Sequence, residues 1–227
     1  MPWRWGIRPR HEHRTFHLLR FVVRVITLDR DVPETWLLGP AVDAVRKGQL
    51  IVFPTDSIYA LGCDPFDRKA VDKLYTAKGM TENHRCSVIC GDIKQVASVA
   101  RGVSDAAFQF MRRYMPGAYT ILLKASRDLP KEATGKRKQI GVRMPDHPVA
   151  LALVEELGKP MLVTSVPMWA SGEMVDPVEL AERLSVRPAV VIDQGPQIAD
   201  PSTVIDFSVD PPELVRLGKG PVDWVEG

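Results

Sequence analysis

The strongest constraint on the fold is the stretch GQLIVFPTDSIYALGCD, residues 48–64. Its segment LIVF, residues 50–53, is an unbroken apolar run, which is typical of a strand buried on both faces of a sheet. Pro54 ends this strand because proline has no N–H to donate to a neighbouring strand. We therefore expect a buried central strand whose carboxyl end lies at Pro54.

Three polar residues, Thr55, Asp56 and Ser57, follow this strand directly. Ligands of open α/β sheets usually bind beyond the carboxyl ends of the strands. Polar groups this close to a buried strand need partners, so two interpretations stay open. Thr55 and Asp56 contact a ligand, or one of them caps a turn or a helix. Further along, Gly62 is expected to allow a tight turn.

The rest of the chain alternates apolar strand patterns with helical ones. Several strands follow each other without a helix between them. This order favours an α/β fold with a twisted, open, mixed sheet and flanking helices over a purely parallel one. Strands are predicted at residues 20–28, 50–53, 86–90, 118–124, 140–144, 161–166, 189–192, 203–207 and 213–217. Helices are predicted at residues 33–47 with a kink or restart at Gly39-Pro40, and at 68–77, 93–100, 104–114, 148–157 and 177–184, with a basic loop at 131–138.

Composition indicates a globular protein, with 45% hydrophobic and 26% charged residues among 227. No apolar run approaches the roughly 20 residues that a membrane-spanning helix needs, so no membrane partner is expected. The net charge of +2 hides an asymmetry, because residues 1–24 carry six Arg and one Glu. The remaining residues carry a net −3. Sequence-independent attraction to nucleic acid must therefore come from the N-terminal arm or from a local patch.

The first 19 residues are basic, contain Trp3 and Trp5, and show no periodicity of a helix or strand. We predict a disordered extension before a single domain at residues 20–227, with an RNA-binding arm as the alternative. The three cysteines, Cys63, Cys86 and Cys90, lack the CxxC spacing of a metal site. We expect no metal site and interpret them as small buried residues in a reducing cytoplasm.

Taken together, the polar strand exits resemble those of the YrdC/YciO family of threonylcarbamoyl-AMP synthases and their relatives. The resemblance covers roughly residues 21–220. The segments CSVICGD, PGAYTILLK and KRKQIGVRMP are more similar to the YciO branch than to the YrdC synthases. The motifs that carry it occur in one order: FPTDSIYALGCD, Lys78 after a helix, Pro116-Gly117 with Thr120, Val142-Arg143 with Pro145, HPVALALVEELG, Thr164-Ser165, residues 201–204 (PSTV) and residues 215–218 (VRLG).

The resemblance implies a YrdC-like open sheet whose concave face binds nucleotide and threonine, with tRNA or double-stranded RNA as further partners. In the synthases, ATP, L-threonine and bicarbonate give threonylcarbamoyl-AMP and pyrophosphate, with Mg²⁺ assisting, for modification of adenosine 37 of tRNA. Charge gathers on phosphate oxygens during this reaction, so cations and hydroxyl donors should surround the site. The residues that the resemblance assigns to substrate and nucleotide binding are Thr55, Asp56, Lys78, Arg85, Thr120, Arg143, Ser165, Ser202, Thr203 and Arg216, with Thr55 and Lys78 as the catalytic pair.

Two departures from the synthase pattern separate two functional hypotheses. The synthases carry K-x-R-P where this chain has Lys78-Gly79-Met80-Thr81, and S-x-N where it has Ser165-Val166-Pro167. Met80 cannot supply the planar, bidentate fork of an arginine, and Arg85 substitutes for it only if the loop folds back. The first hypothesis is a synthase weakened by these losses. The second is a module that binds nucleotide or double-stranded RNA in the same cavity without turnover.

Overall fold

The computed structural model describes residues 23–79, 86–134, 138–165 and 172–222 and places ten strands in one sheet. These are β1 (Arg24–Thr27), β2 (Ile51–Phe53), β3 (Ala60–Cys63), β4 (Ser87–Ile89), β5 (Tyr119–Lys124), β6 (Gln139–Arg143), β7 (Met161–Ser165), β9 (Val190–Asp193), β11 (Thr203–Asp206) and β12 (Glu213–Arg216). Their order across the sheet is β1-β9-β2-β3-β7-β4-β6-β5-β11-β12. Two short strands, β8 (Met174–Val175) and β10 (Gln197–Ile198), pair separately, and the sequence did not predict them.

The sheet contains both parallel and antiparallel strand pairs, which confirms the predicted mixed topology. Strand β2 runs parallel to β9 and antiparallel to β3, while β7 runs antiparallel to both β3 and β4. The helices are α1 (Gly39–Arg46), α2 (Arg68–Lys78), α3 (Ile93–Val99), α4 (Asp105–Tyr114), α5 (Lys131–Thr134), α6 (Pro148–Leu157) and α7 (Pro177–Arg183), with a 3₁₀ turn at Thr35–Leu38.

Two apolar clusters cover the two faces of the sheet. Ile51 and Phe53 pack with residues of α1 and α6 on one face, whereas Val52 packs with residues of α2, α4 and α7 on the other. Alternate residues of a strand point to opposite faces, so β2 is buried on both sides, as its apolar run predicted. Helices α1 and α6 pack together at the β1 end of the sheet. The same face carries a cavity along the part of the sheet from β3 to β12.

The helix ends follow local signals in the sequence. Helix α2 begins after Asp67, whose carboxylate accepts from the N–H groups of Lys69 and Ala70, and ends at Gly79 in the left-handed conformation. Helix α1 begins at Gly39, so the predicted break at Gly39-Pro40 is a restart after the 3₁₀ turn. These ends position Lys78 in the last turn of α2.

Two local predictions were wrong. Gly62 does not form a turn but lies in β3, paired with Ile51 and Val163. A Cβ there would lie 2.8 Å from Cε1 of Phe53 and 3.1 Å from Sδ of Met161, so the glycine allows these side chains to pack over the strand. Residues 131–134, predicted as part of a loop, form the short helix α5.

The predicted N-terminal extension, residues 1–19, lies outside the described residues, so its disorder and the domain boundary at residue 20 remain predictions. Within the described ranges, none of the helices is long and apolar enough to cross a bilayer.

Candidate functional site

A cavity of about 390 Å³ lies on the sheet face that carries α1 and α6. The register of the strands explains which residues line the cavity, because residues paired across neighbouring strands point to the same face. Ser165 pairs with Ala60, Ser87 with Gly141, and Thr120 with Val204. The lining residues that the family resemblance assigned to the site are Thr120, Arg143, Ser165, Ser202 and Arg216. The fold therefore brings together five residues that lie far apart in the sequence.

A buried ion pair lies at the edge of this cavity, where Arg143 lines it and Asp56 contacts Arg143. Arg143 Nη2 lies 2.6 Å from Asp56 Oδ1, and the two side chains are only 9% and 8% exposed. The same Nη2 donates to Ser57 Oγ at 2.8 Å, and Asp56 Oδ2 accepts from the N–H of Asp146 at 3.1 Å. Burial lowers the pKa of Arg143, and the charge of Asp56 opposes that shift. Asp56 thus compensates Arg143, while Arg143 Nε–H has no hydrogen-bond partner among the described residues.

A second polar group forms around Ser202. Thr120 Oγ1 and Ser202 Oγ share a hydrogen bond of 2.8 Å, and Arg216 donates Nε and Nη2 to the carbonyl of Ser202 at 3.1 and 2.7 Å. Partial burial lowers the pKa of Arg216. Within the described parts of the chain, no carboxylate lies within 4.0 Å of its guanidinium. Arg216 therefore contributes uncompensated positive charge to the cavity, in contrast to Arg143.

The side chain of Thr203 hydrogen-bonds to backbone groups and is not among the described residues that line the cavity. Its hydroxyl donates to the carbonyl of Gly220 at 2.6 Å and accepts from the N–H of Gly218 at 2.9 Å, and the residue is fully buried. The backbone at Gly218 lies close to the backbone at Pro201, since a Cβ on Gly218 would lie 2.2 Å from the carbonyl oxygen of Pro201. These hydrogen bonds hold the segment after β12 in place and so support the position of Arg216.

Thr55 makes the local contacts of a turn cap. Its Oγ1 accepts from the N–H groups of Ser57 and Ile58, both at 3.2 Å, and donates to the carbonyl of Ile58 at 2.7 Å. The residue is fully buried and is not among the described residues that line the cavity. Of the two interpretations that the sequence left open, these contacts are those of the cap. Thr55 shapes the loop that carries Asp56 and Ser57.

Lys78 contacts the sheet beside the cavity. Its Nζ donates to Thr164 Oγ1, and burial lowers the pKa of Lys78 to about 8. Thr164 pairs with Leu61 and Ser165 pairs with Ala60, so the two side chains point to opposite faces of β7. The ammonium group therefore lies on the face opposite to Ser165 and is not part of the described cavity lining. Met80, Arg85 and Pro167 lie outside the described residues.

Sequence reasoning did not assign Ser57 and Ser87 to the site, although both line the cavity. Ser57 lines the cavity and accepts from Arg143, although the sequence drew attention to its neighbours. Ser87 lines the cavity from β4, and Gly141 pairs with it from β6. The available signal was a serine and a glycine inside apolar strand patterns, since a strand glycine often marks close approach of another group.

A family model named for Sua5, YciO and YrdC, and described as telomere recombination, matches residues 43–218. The protein YciO of Escherichia coli strain K12 is 39% identical over 195 residues, which are 85% of this chain and 94% of YciO. The crystal structure of E. coli YciO superimposes with a TM-score of 0.80 at 36% identity and covers 89% of this chain and 98% of that one.

The threonylcarbamoyl-AMP synthase of Pyrococcus abyssi is 30% identical over 198 residues, which are 87% of this chain and 58% of the synthase. The crystal structure of P. abyssi Sua5 complexed with L-threonine superimposes with a TM-score of 0.80 at 30% identity. That match covers 89% of this chain and 59% of Sua5. Together with the ordered motifs and the fold, these matches show that the chain belongs to the Sua5/YciO/YrdC family.

Proposed function

We propose that the chain binds ATP and L-threonine in the cavity and forms threonylcarbamoyl-AMP from ATP, L-threonine and bicarbonate. The observation that carries the proposal is the convergence of Arg143, Arg216 and the hydroxyls of Thr120, Ser202 and Ser165 on one cavity. Relatives about 30% identical to this chain are named threonylcarbamoyl-AMP synthase, and one was crystallised with L-threonine. Cations and hydroxyl donors are the groups that such chemistry needs.

The reaction explains why this donor set is suitable. The amino group of threonine condenses with bicarbonate to a carbamate, with loss of water, and an oxygen of the carbamate forms a new bond to the α-phosphorus of ATP. The bond from that phosphorus to the leaving pyrophosphate breaks, and negative charge gathers on the departing and non-bridging oxygens. Arg143 and Arg216 stabilise this charge, and the hydroxyls of Thr120 and Ser202 donate to it. No covalent nucleophile is required.

ATP enters as its Mg²⁺ complex in this proposal. Mg²⁺ is commonly held by substrate phosphates and water together with one or two carboxylates. Within the described ranges, no group of three His, Cys, Asp or Glu side chains is placed to hold a metal ion. The carboxylate of Asp56, next to the cavity, is already paired with Arg143. The metal is therefore assigned to the substrate, and the chain contributes the cations and hydroxyls around it.

The decisive experiment is a pyrophosphate-release assay on the full chain with ATP, L-threonine and bicarbonate. Release is expected only when all three are present, because the carbamate is the attacking group. Omitting each in turn provides the control. Release that continues without threonine would indicate hydrolysis of ATP or a different acyl acceptor, and absence of release with all three would refute the synthase assignment.

Lys78 is expected to strengthen ATP binding through its charge. We expect Lys78→Ala to weaken ATP binding at pH 7 only about two- to threefold, since the ammonium bonds to Thr164 on the opposite face of β7 and its charge attracts phosphates in the cavity only through space. The pKa of Lys78 is about 8, so the ammonium loses its proton as the pH rises above that value. The difference between wild type and variant should therefore shrink between pH 7 and pH 9.5.

Calorimetry at both pH values measures this effect, with Lys69→Ala as the control. Lys69 is an exposed lysine on the same helix, so its removal changes the net charge equally. Equal ATP affinities of wild type and Lys78→Ala at pH 7 would reject the role in binding. Lys78 would then be only a cation at the C-terminus of α2, where it interacts favourably with the helix dipole.

A second candidate function is a module that binds nucleotide or double-stranded RNA without turnover. Two observations favour it: Lys78 donates to Thr164 on the opposite face of the sheet, and Met80 and Pro167 replace the family's arginine and asparagine. ATP binding without threonine-dependent pyrophosphate release would support this function. RNA binding would show in a titration against salt, because contacts to phosphates weaken as salt rises.

We also propose a cytoplasmic location. Cys63, Cys86 and Cys90 are free thiols, and all three are buried. Burial raises the pKa of each thiol, which keeps it protonated and unreactive. Free thiols of this kind are usual in reducing compartments. None of the three is assigned a role as a nucleophile.

A further inference from the structure

The loop of residues 55–57 is held in place by a much later segment of the chain, residues 197–219. Three consecutive backbone carbonyls of the loop each accept one hydrogen bond from this segment. The bonds run from Gln197 Nε2 to Thr55 at 2.7 Å, from Lys219 Nζ to Asp56 at 2.5 Å, and from the N–H of Asp200 to Ser57 at 3.2 Å. Gln197 and Lys219 are not among the described residues that line the cavity, and the proposed reaction assigns them no role.

This loop orients the guanidinium of Arg143. Its Nη2 donates to Asp56 Oδ1 at 2.6 Å and to Ser57 Oγ at 2.8 Å. Among the described residues, Arg143 has no other hydrogen-bond acceptor, and its Nε–H is unpartnered. The side chain is only 9% exposed, so water does not orient it in place of the loop. A displacement of the loop would therefore move the guanidinium with it.

The segment that holds the loop also carries the second arginine of the cavity. Arg216 lies three residues before Lys219, and the N–H of Lys219 donates to the carbonyl of Pro201 at 2.9 Å, which fixes the backbone between them. Burial lowers the pKa of Arg143, and the positive charge of Arg216 lowers it further, because the two guanidinium groups repel each other. Bonds between the segment and the loop therefore hold two like charges at a fixed spacing against this repulsion.

The glutamine in this arrangement is not the side chain that stability alone would favour. The bond from Gln197 Nε2 to Thr55 leaves Oε1 of the same amide buried and without a partner among the described residues. A buried acceptor without a partner destabilises a fold, because it has lost its hydration. A methionine of similar length would avoid that loss. The position of the loop is thus the property that Gln197 serves.

We propose that Gln197 and Lys219 are positioning residues. They fix the 55–57 loop to the segment after β10 and so hold Arg143 and Arg216 at the spacing at which both contact one phosphate group. Neither Gln197 nor Lys219 touches the ligand. The choice of a phosphate as ligand rests on the proposed function, whereas the coupling of these two side chains to Arg143 is a property of the free protein.

The first test follows the Nε–H resonance of Arg143 in the free protein by NMR, assigned by its loss in Arg143→Lys. Gln197→Met and Lys219→Met are each expected to shift this resonance, and Lys219→Arg should restore it because arginine can donate to the same carbonyl. The matched controls are Gln95→Met and Lys73→Met, which remove side-chain bonds to backbone carbonyls away from the cavity lining. They should leave the resonance unchanged. No shift in either test variant, or equal shifts in the controls, would reject the coupling.

The second test measures ATP affinity by calorimetry. Gln197→Met, which leaves the net charge unchanged, is expected to weaken ATP binding about threefold, and Lys219→Met about three- to fivefold, as for a weakened contact of one guanidinium. In the background of the double variant Asp56→Ala with Arg143→Met, neither substitution should change the affinity, because no guanidinium remains to be positioned. Losses that persist in this background would show that the two residues contact ATP or act through their charge, and would overturn the proposal.

The two tests separate this inference from the proposed function. A wild-type protein that does not bind ATP, but whose Arg143 resonance shifts in both Gln197→Met and Lys219→Met, would support the positioning role and reject the proposed function. Threonine-dependent pyrophosphate release, in a protein whose Arg143 resonance and ATP affinity do not change in either variant, would do the reverse.

Discussion

Asp56→Ala is expected to lower the free energy of unfolding by about 3–5 kcal/mol, as for the loss of one partner of a buried ion pair. The reason is that Arg143 would remain buried with its charge uncompensated, because both side chains are at least 91% buried. The N–H of Asp146 would lose its acceptor as well. Urea denaturation followed by circular dichroism measures the change in the free energy of unfolding. When the slope of that free energy against urea concentration is the same in both proteins, the difference between their midpoints reports the change in stability.

Two further variants make this prediction specific. Glu179→Ala removes an ion pair with Arg183 whose side chains are about half exposed, and its expected cost is about 0.5 kcal/mol or less. The double variant Asp56→Ala with Arg143→Met removes both buried charges and should recover much of the loss. If Asp56→Ala costs no more than Glu179→Ala, Arg143 is stabilised by other groups and the buried pair is not what holds this wall.

Met80→Arg combined with Pro167→Asn is expected to raise threonine-dependent pyrophosphate release by roughly tenfold or more. These changes restore the family's K-x-R and S-x-N patterns at positions two residues after Lys78 and Ser165. A buried charged contact contributes about 2–5 kcal/mol, and one that acts in the transition state raises turnover rather than stability. Both positions lie outside the described residues, so the expectation rests on the motifs and on Ser165, which lines the cavity.

Steady-state pyrophosphate release with ATP, L-threonine and bicarbonate measures this gain for each single variant and the pair. The pair must be measured directly, because two residues that share one ligand need not act additively. Met174→Arg introduces the same charge at a methionine that is 57% exposed and should leave the rate unchanged. A wild-type rate already equal to that of a K-x-R-P synthase would contradict the premise, and an unresponsive pair would point to another substrate.

Much of the fold followed from signals that act within a few residues. The apolar run before Pro54 identified the central strand, because a proline cannot continue a ladder of hydrogen bonds. Asp67 and Gly79 set the ends of α2, because a carboxylate accepts the free N–H groups of the first turn and a glycine adopts the left-handed conformation without strain. Such signals depend only on backbone conformation and nearby atoms, so they can be read without the tertiary structure.

Most residues of the candidate site were also predictable, because the motifs occur in the same order as in a known family. Arg143, Thr120 and Ser202 were identified as site residues by resemblance, and the cavity brings them together. Their partners were not predictable. Asp56 pairs with Arg143, which is 87 residues away in the chain, and Ser57 accepts from the same guanidinium. No local pattern indicates a contact between segments this distant in the sequence.

The sequence by itself determined most of the strands and helix ends and most of the polar groups at the cavity, whereas β3, β8 and β10 were not predicted. Only the tertiary structure decided which of these groups face the cavity. Thr164 and Ser165 are neighbours, yet Lys78 bonds to the first on one face while the second lines the cavity on the other. Gly62 and Gly141 both allow close packing, because a Cβ at either position would clash with side chains of the strands beside it. The physical reason is that strand order and register are set by packing between distant segments, and a shift of one residue reverses the face that every side chain occupies.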